Sequence, residues 1–314
     1  MGNIAVTGSV AFDTIMVFPG HFGEHILPDQ THMLSVSFLV DRLERRRGGT
    51  AANVAYTLAL LGERPLLCAA VGNDFAADAD ALRSVGVDVA AAHTFADVTT
   101  ASAFITTDLD DNQITAFYPG AMARAAEIDL TTYPDVEYVV VTPDDPAAMA
   151  AHIDQAVRIG AKLVFAPAQQ LPAMHDSTLL AGLDAAWMVV GNDYELELIH
   201  ARTGRDTATL CGQAIVAVTR GGEGSELHTT EGVLSISAAK PEAVVDPTGA
   251  GDAYIAGLLA GLRDGRSLGQ AGGMAALAAT YVVEQRGTQE HHFTLAEFHQ
   301  RYAENFGQLA TTSL

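Results

Sequence analysis

Asp252 closes the segment Val244-Val245-Asp246-Pro247-Thr248-Gly249-Ala250-Gly251-Asp252, in which an apolar strand end passes through proline and two glycines into a long apolar helix. The glycines let the chain bend tightly, so successive N–H groups at the helix start point at one spot. That spot lies at the positive end of the helix dipole. The amides of Gly249, Ala250 and Gly251 would there hold an anion, or an oxyanion that gains charge during reaction. A carboxylate at such a place is costly unless it is used. Asp252 is positioned to take the proton from an attacking hydroxyl while the amides stabilise a transferring phosphoryl group. In an isolated Gly-x-Gly-Asp the aspartate would simply cap the helix, but here four other segments accompany it.

In Arg47-Gly48-Gly49-Thr50-Ala51-Ala52-Asn53, paired glycines before an alanine-rich helix let a ligand approach the backbone. Asn53, one turn in, can donate and accept hydrogen bonds toward the same space. A plain loop-to-helix junction would use the same residues. Thr7-Gly8-Ser9-Val10-Ala11-Phe12-Asp13 follows the first apolar run, and open parallel sheets bind ligands beyond the carboxyl ends of their strands. Asp13 there suits a vicinal diol, such as a ribose offers, or an Asx-turn. Gly191-Asn192-Asp193-Tyr194-Glu195 also has two readings. Asn192 and Glu195 have the spacing of a capping box, and their oxygens equally suit hydrated Mg²⁺ near phosphates. Thr219-Arg220-Gly221-Gly222-Glu223-Gly224 is a glycine turn after a strand, open to a nucleotide lying along it.

Holding these groups together requires a regular frame. Ile4–Gly8, Leu66–Val71, Tyr138–Val141, Leu163–Ala166, Trp187–Val190 and Ile215–Thr219 read as buried strands. Helical patterns at Thr50–Leu61, Phe75–Val85, Pro146–Ile159, Asp193–His200, Ala250–Arg263 and Leu268–Gln285 fall between or after them. Such alternation gives an α/β domain with a mostly parallel sheet covered by helices on both faces. Two stretches break the pattern, one around Phe18–Arg47 and a hairpin at Thr99–Tyr118 turning through Asp108–Asn112. Together they predict a small β-lid, from about 14–47 and 99–118, on a single domain spanning 1–314. The run Arg42–Arg47 is expected to be a solvated strand end.

The charge balance excludes several functions. With 17 Lys+Arg against 38 Asp+Glu the net charge is −21, which repels nucleic-acid backbones and anionic membranes. It does not exclude a phosphorylated ligand held by backbone amides. Cys68 and Cys211 form no metal or redox motif and fit a reducing cytoplasm. The N-terminus reads as a first strand rather than a signal peptide, and Ala271–Val283 is too short to span a bilayer, so a soluble cytoplasmic protein is expected.

In this order the segments resemble the ribokinase-like (PfkB) sugar and nucleoside kinases. Gly48-Gly49-x-x-x-Asn53 is similar to that family's first signature, and Asp246-Pro247-Thr248-Gly249-Ala250-Gly251-Asp252 to its second, more specific one. The likeness covers essentially the whole chain. It implies a three-layer ribokinase-like fold with a β-sheet lid, ATP as phosphoryl donor and Mg²⁺ as cofactor; a monovalent cation such as K⁺ is left open. Ser35–Asp41, Phe117–Met122, Gln169–Leu171 and Asn192–Glu195 further resemble the bacterial adenosine kinases of this fold. That implies transfer of the ATP γ-phosphate to the 5′-hydroxyl of adenosine.

By position, the resemblance has Asp13, Gly49 and Asn53 gripping the ribose, with Ser9 and Ser37 also touching the substrate. Phe104 and Phe117 would stack on the purine, and Gln169 and Gln170 would read its edge. A hairpin core would use the same two aromatics. Asn192, Thr219, Gly221, Gly222 and Gly224 would line the nucleotide, and Asn192 with Glu195 would hold Mg²⁺. The runner-up acceptors are a ribose-like sugar, inosine and guanosine.

Three rivals are weaker. His21-Phe22-Gly23-Glu24-His25 matches the HxxEH zinc pattern letter by letter, but Pro19-Gly20, Gly23 and Pro28 predict a loop there rather than a metal-binding helix. No GxGxxG follows the first strand, which argues against a dinucleotide-dependent dehydrogenase. A catalytically dead nucleoside sensor would have no need of an intact Asp252 with its glycines. Finally, His32–Val40 alternates so that Leu34, Val36 and Phe38 share one face. A homodimer through this lid strand is expected, with Phe38→Asp favouring monomer.

Overall fold

Tyr138-Val139-Val140-Val141 shows no polar alternation, and the computed structural model of the chain, which describes residues 3–25, 35–110 and 112–309, shows why. Val140 joins an apolar cluster with Val6, Val164 and Met188, whereas Val139 and Val141 join a second cluster with Leu163 and Phe165. A strand buried on both faces needs apolar side chains at every position.

The main sheet contains β1 (Ile4–Thr7), β4 (Leu66–Gly72), β5 (Ala92–Phe95), β8 (Tyr138–Val141), β9 (Lys162–Phe165), β10 (Ala186–Asn192), β11 (Ile215–Thr219), β12 (Ser225–Thr229) and β13 (Gly232–Ile236). Its nine strands run in the order β13-β12-β11-β10-β9-β8-β1-β4-β5. Only the β11–β12 and β12–β13 pairings are antiparallel. A second sheet of four strands contains β2 (Ala11–Val17), β3 (Arg42–Gly48), β6 (Ala101–Thr107) and β7 (Gln113–Tyr118), in the order β3-β2-β6-β7.

The helices are α1 (Phe22–His25), α2 (Thr50–Leu60), α3 (Ala76–Val85), α4 (Pro146–Ile159), α5 (Asp176–Ala185), α6 (Asp193–Thr203), α7 (Thr207–Leu210), α8 (Ala250–Arg263), α9 (Leu268–Val283) and α10 (Leu295–Phe306). One cluster gathers residues of α2, α3, α8 and α9 on one face of the main sheet, and the other gathers α4, α5, α6 and α7 on the opposite face. The three expected layers and the small second sheet are both present. Helices α8 and α9 touch through glycine: a Cβ at Gly257 would lie 2.7 Å from the Cα of Ala275. Such close backbone packing fixes α8, whose first turn carries Asp252.

Three local expectations need correction. Within His32–Val40, residues 35–40 form no strand, and 32–34, with Leu34, lie outside the described residues. Phe38 instead packs 4.9 Å from both Phe18 and Phe22. The alternation serves a cluster inside the chain, which removes the basis for a dimer centred on Phe38. Second, Arg42–Arg47 is no strand end but most of β3, paired with β2 along its whole length. Its arginines find partners: Arg45 lies over the Phe12 ring at 3.7 Å and reaches Asp74 at 3.1 Å, while Arg47 meets Glu290 at 3.6 Å. Third, Phe22–His25 is one helical turn rather than a loop. The two histidines of the HxxEH match diverge, His21 just before the turn bonding Asp110 at 2.8 Å and His25 packing edge-on to Phe18.

Candidate active site

Asp252 and Asn53 sit on the first turns of α8 and α2, and the Asn53 Nδ2 donates to the Asp252 Oδ2 at 2.8 Å. Both helices open on glycine. Gly249 has a φ of 84° at the N-cap of α8, a left-handed conformation that side chains rarely adopt. Gly49 has a φ of 89°, and a Cβ there would fall 2.5 Å from the Ser9 carbonyl oxygen. Glycine brings no capping side chain, so Ser9 supplies one across the chain: its Oγ accepts the Thr50 N–H at 3.1 Å. A Cβ at Gly251 would meet nothing within 4 Å, which leaves the backbone there open to a ligand, whereas the Ala250 N–H is already bonded to the Pro247 carbonyl at 3.2 Å.

These elements border a cavity of about 530 Å³ between the carboxyl ends of the main-sheet strands and the second sheet. Ser9, Asp13, Gly49 and Asn53 line it on one side; Gly249, Gly251, Asp252 and Glu195 line it on another. Phe117, Gln169 and Gln170 complete the wall. Ala250 is absent from the lining but forms the first residue of α8. The expected residues thus converge from distant parts of the chain.

Others do not. The register pairs Ala103 with both Asp13 and Phe117, and Phe104 with Thr14 and Ala116. Side chains alternate faces along a strand, so Phe117 shares the cavity face with Asp13 while Phe104 points away, 44% exposed. The two aromatics cannot sandwich one ring. Ser37 is exposed and outside the cavity, because Val36 and Phe38 are the inward members of their run. Thr219, Gly221, Gly222 and Gly224 lie outside the lining too, although Thr219 pairs directly with Asn192 at the adjoining strand end. Gly221 and Gly222 are open on their Cα side, whereas a Cβ at Gly224 would strike the Ile236 carbonyl at 2.1 Å. Gly224 therefore serves strand packing.

Asn192 and Glu195 form the capping box in full, with the Glu195 N–H donating to Asn192 Oδ1 at 2.8 Å and the Asn192 N–H to Glu195 Oε2 at 2.9 Å. The cap leaves the Glu195 Oε1 outside it, and Glu195 faces the cavity while Asn192 does not line it. That donor set fits Mg²⁺ held through water and substrate phosphates. Among the described residues no group of three or more His, Cys, Asp and Glu could cage a metal.

The electrostatics are one-sided. Asp13, Asp144, Glu195 and Asp252 line the cavity, and no Lys or Arg does. Burial raises the carboxyl of Asp252 to about 7, against the opposing N–H from Asn53 and with help from Glu195. Burial likewise raises Asp144 to about 8 and pushes Asp13 and Glu195 upward. A carboxyl near neutrality beside a helix-start anion site can accept a proton from an alcohol while the amides hold the electrophile.

Sequence reasoning missed Asp144 and Thr288 in the wall, and Gln289 behind it, whose Nε2 donates to Asn53 Oδ1 at 2.9 Å. Asp144 was within reach, since it follows the carboxyl end of β8, where open parallel sheets bind ligands. Thr288 and Gln289 sit in a polar loop with no periodic signal. No helix among the described residues is long and apolar enough to cross a membrane.

The chain is similar over nearly its whole length to known kinases. A nucleoside kinase of Methanothermobacter thermautotrophicus is 32% identical over 311 residues, 97% of each chain. The structure of a Burkholderia thailandensis nucleoside kinase in complex with inosine superposes with a TM-score of 0.87 at 34% identity, covering 98% of this chain and 99% of that one. The nucleoside kinase of Methanocaldococcus jannaschii, described as an archaeal member of the ribokinase family, gives a TM-score of 0.87 at 27% identity over 97% of this chain and 99% of its own. The profile of the pfkB family carbohydrate kinases matches residues 1–294. The fold is ribokinase-like, and the chain belongs to the pfkB family of carbohydrate kinases.

Proposed function

We propose that this kinase transfers the γ-phosphoryl group of ATP to the 5′-hydroxyl of a purine nucleoside, with adenosine as acceptor. The observation that carries the reading is the convergence of Asp252, at the open start of α8, with Asp13 and Phe117 from the second sheet on one cavity. Asp252 takes the proton as the 5′-oxygen attacks the γ-phosphorus, the bond to the β–γ bridging oxygen breaks, and ADP leaves. The amides of Gly249 and Gly251 face the charge that builds on the phosphoryl oxygens, while that of Ala250 is held by the Pro247 carbonyl. Asp13 accepts from the ribose diol, Phe117 stacks on the base, and Gln169 and Gln170 meet its edge. Glu195, beside the Asn192 cap, would hold Mg²⁺ through water, and the ion would add positive charge to a cavity lined by carboxylates. The nucleotide itself lies toward Thr219, Gly221 and Gly222.

The nucleoside kinase of Burkholderia thailandensis has been solved with inosine and with ADP-inosine, which supports a 6-oxopurine nucleoside as the second reading. A homodimer through the lid remains part of the proposal, on a different surface. The register puts Leu43, Phe104 and Ile114 on the outer face of the second sheet, 63%, 44% and 44% exposed.

Coupled ADP release, with and without K⁺, across adenosine, inosine, guanosine, cytidine, ribose and fructose 6-phosphate tests the acceptor. Adenosine is expected to give the highest kcat/KM. If inosine leads, the acceptor is a 6-oxopurine; if ribose or fructose 6-phosphate leads, the nucleoside reading fails.

A further inference from the structure

Asn53 meets Asp252 with one end of a side-chain amide whose two orientations are nearly identical in shape and opposite in chemistry. Turned one way it offers an N–H to the carboxylate; turned the other way it offers a carbonyl oxygen. Both Asn53 and Gln289 are buried, at 5% and 2% exposure, so bulk water does not decide between them. The only hydrogen bond recorded for the Gln289 side chain is the one from its Nε2 to Asn53 Oδ1, and its Oε1 is buried without a partner among the described residues. A leucine of similar size would fill that space without an orphaned oxygen. The segment around it is anchored independently: the Gly287 N–H donates to Asp246 Oδ2 at 3.3 Å, Thr288 Oγ1 to the Arg47 carbonyl at 3.2 Å, and the Tyr56 hydroxyl to the His291 carbonyl at 3.0 Å.

We propose that Gln289 is a positioning residue which fixes the direction of the Asn53 amide, so that the proton-accepting carboxylate of Asp252 always faces an N–H. The proposal rests on Asp252 being the catalytic base. Hydrogen bonding to the ionised form favours it, so a reversed amide holds Asp252 protonated to higher pH. The other titratable groups facing this site are Glu195 on α6, Asp13 on β2 and Asp144 after β8. On the Gln289 segment, Glu290 pairs with Arg47, and burial holds His291 down to about 4.

The test is the pH profile of kcat/KM for two variants. Gln289→Glu is isosteric, and its ionised carboxylate can only accept, so it draws the Asn53 N–H₂ to itself and turns the carbonyl toward Asp252; a protonated carboxyl would donate as the parent amide does. In the ionised variant the acid limb should lie about one pH unit higher, with roughly 10-fold lower activity on that limb that converges on the parent in alkali. Gln289→Leu frees the amide without reversing it and should shift the limb about half as far, with little change in Tm because the Asn53 Oδ1 that loses its partner replaces the Gln289 Oε1 that already lacks one. Should Gln289→Glu not accumulate as folded protein, Gln289→Leu carries the test alone. An acid limb unmoved in the variants, or activity lost evenly at every pH, overturns the proposal. Asp252→Asn, run alongside, separates the two failures: parental turnover in that variant would instead remove Asp252 as the base.

Discussion

The two sheets share one cavity but are built on opposite terms. The central strands of the main sheet are buried on both faces and deliver Glu195, Gln169 and Gln170 from their carboxyl ends, with Asp252 on a helix pressed backbone to backbone against α9. The second sheet has one face on the cavity, with Asp13 and Phe117, and every residue of β7 is exposed. An element with so little packed against it opens at low free-energy cost, while the main sheet opens only with global unfolding. On the proposed function the chemistry therefore sits on the rigid part and much of the acceptor grip on the pliable one, an arrangement suited to a closing lid. Turnover and acceptor binding should accordingly separate under mutation.

The sharpest contrast is Asp252→Asn, which should lower kcat roughly 10²–10⁴-fold with acceptor binding little changed. Steady-state kinetics with calorimetric binding would show it. Next comes stability. Phe165 is fully buried against Gly182, and Phe165→Ala should cost about 3–5 kcal/mol in denaturant unfolding. Phe104→Ala on the lid should cost under about 1 kcal/mol. Equal losses would erase the distinction between the sheets. Asp13→Ala should raise acceptor Kd on the order of 10–100-fold, since a diol clamp acts on substrate as well as transition state; lost turnover at unchanged Kd would break the comparison outright. Glu195→Gln should raise the Mg²⁺ needed for half-maximal rate a few-fold, whereas a purely capping role would show as lower Tm at unchanged metal dependence. The smallest effect is on assembly: Phe104→Asp should shift light scattering from dimer toward monomer without altering kcat. A parent protein that is already monomeric would confine that face to solvent.

The contrast between the sheets also explains what could be read in advance. Tyr138–Val141 and Ile215–Thr219 were legible because two-sided burial writes a strand as a continuous apolar run. Gly249–Asp252 was legible because its glycine turn opens a helix onto a carboxylate in the company of four other segments whose glycines and polar groups suit the same ligand. Arg42–Gly48 was illegible as a strand: its ladder is backbone to β2, and its arginines are satisfied by Phe12, Asp74 and Glu290, from remote parts of the chain. Phe104 was misplaced because spacing along a hairpin does not reveal register, and one residue of register reverses the face. Gln289 left no trace, since its role lies in a contact with Asn53 across 236 residues.

The second sheet joins the main body through four chain crossings that are tied in two pairs. Near the first pair the Ala51 N–H bonds the Ser9 carbonyl at 3.1 Å, and near the second the Ala121 N–H bonds the Thr99 carbonyl at 2.9 Å. Each pair is a ready splice point, because both ends of an inserted segment would start from backbone already held in register. Residues 11–48 and 101–118 can thus be handled as a two-piece cartridge. On the proposed function, replacing it would exchange the diol clamp and the stacking ring together, while the loop that carries the catalytic base stays on the body. An engineer who wants this scaffold to phosphorylate another alcohol should cut at Ser9, Thr50, Thr99 and Ala121, and leave residues 246–252 alone.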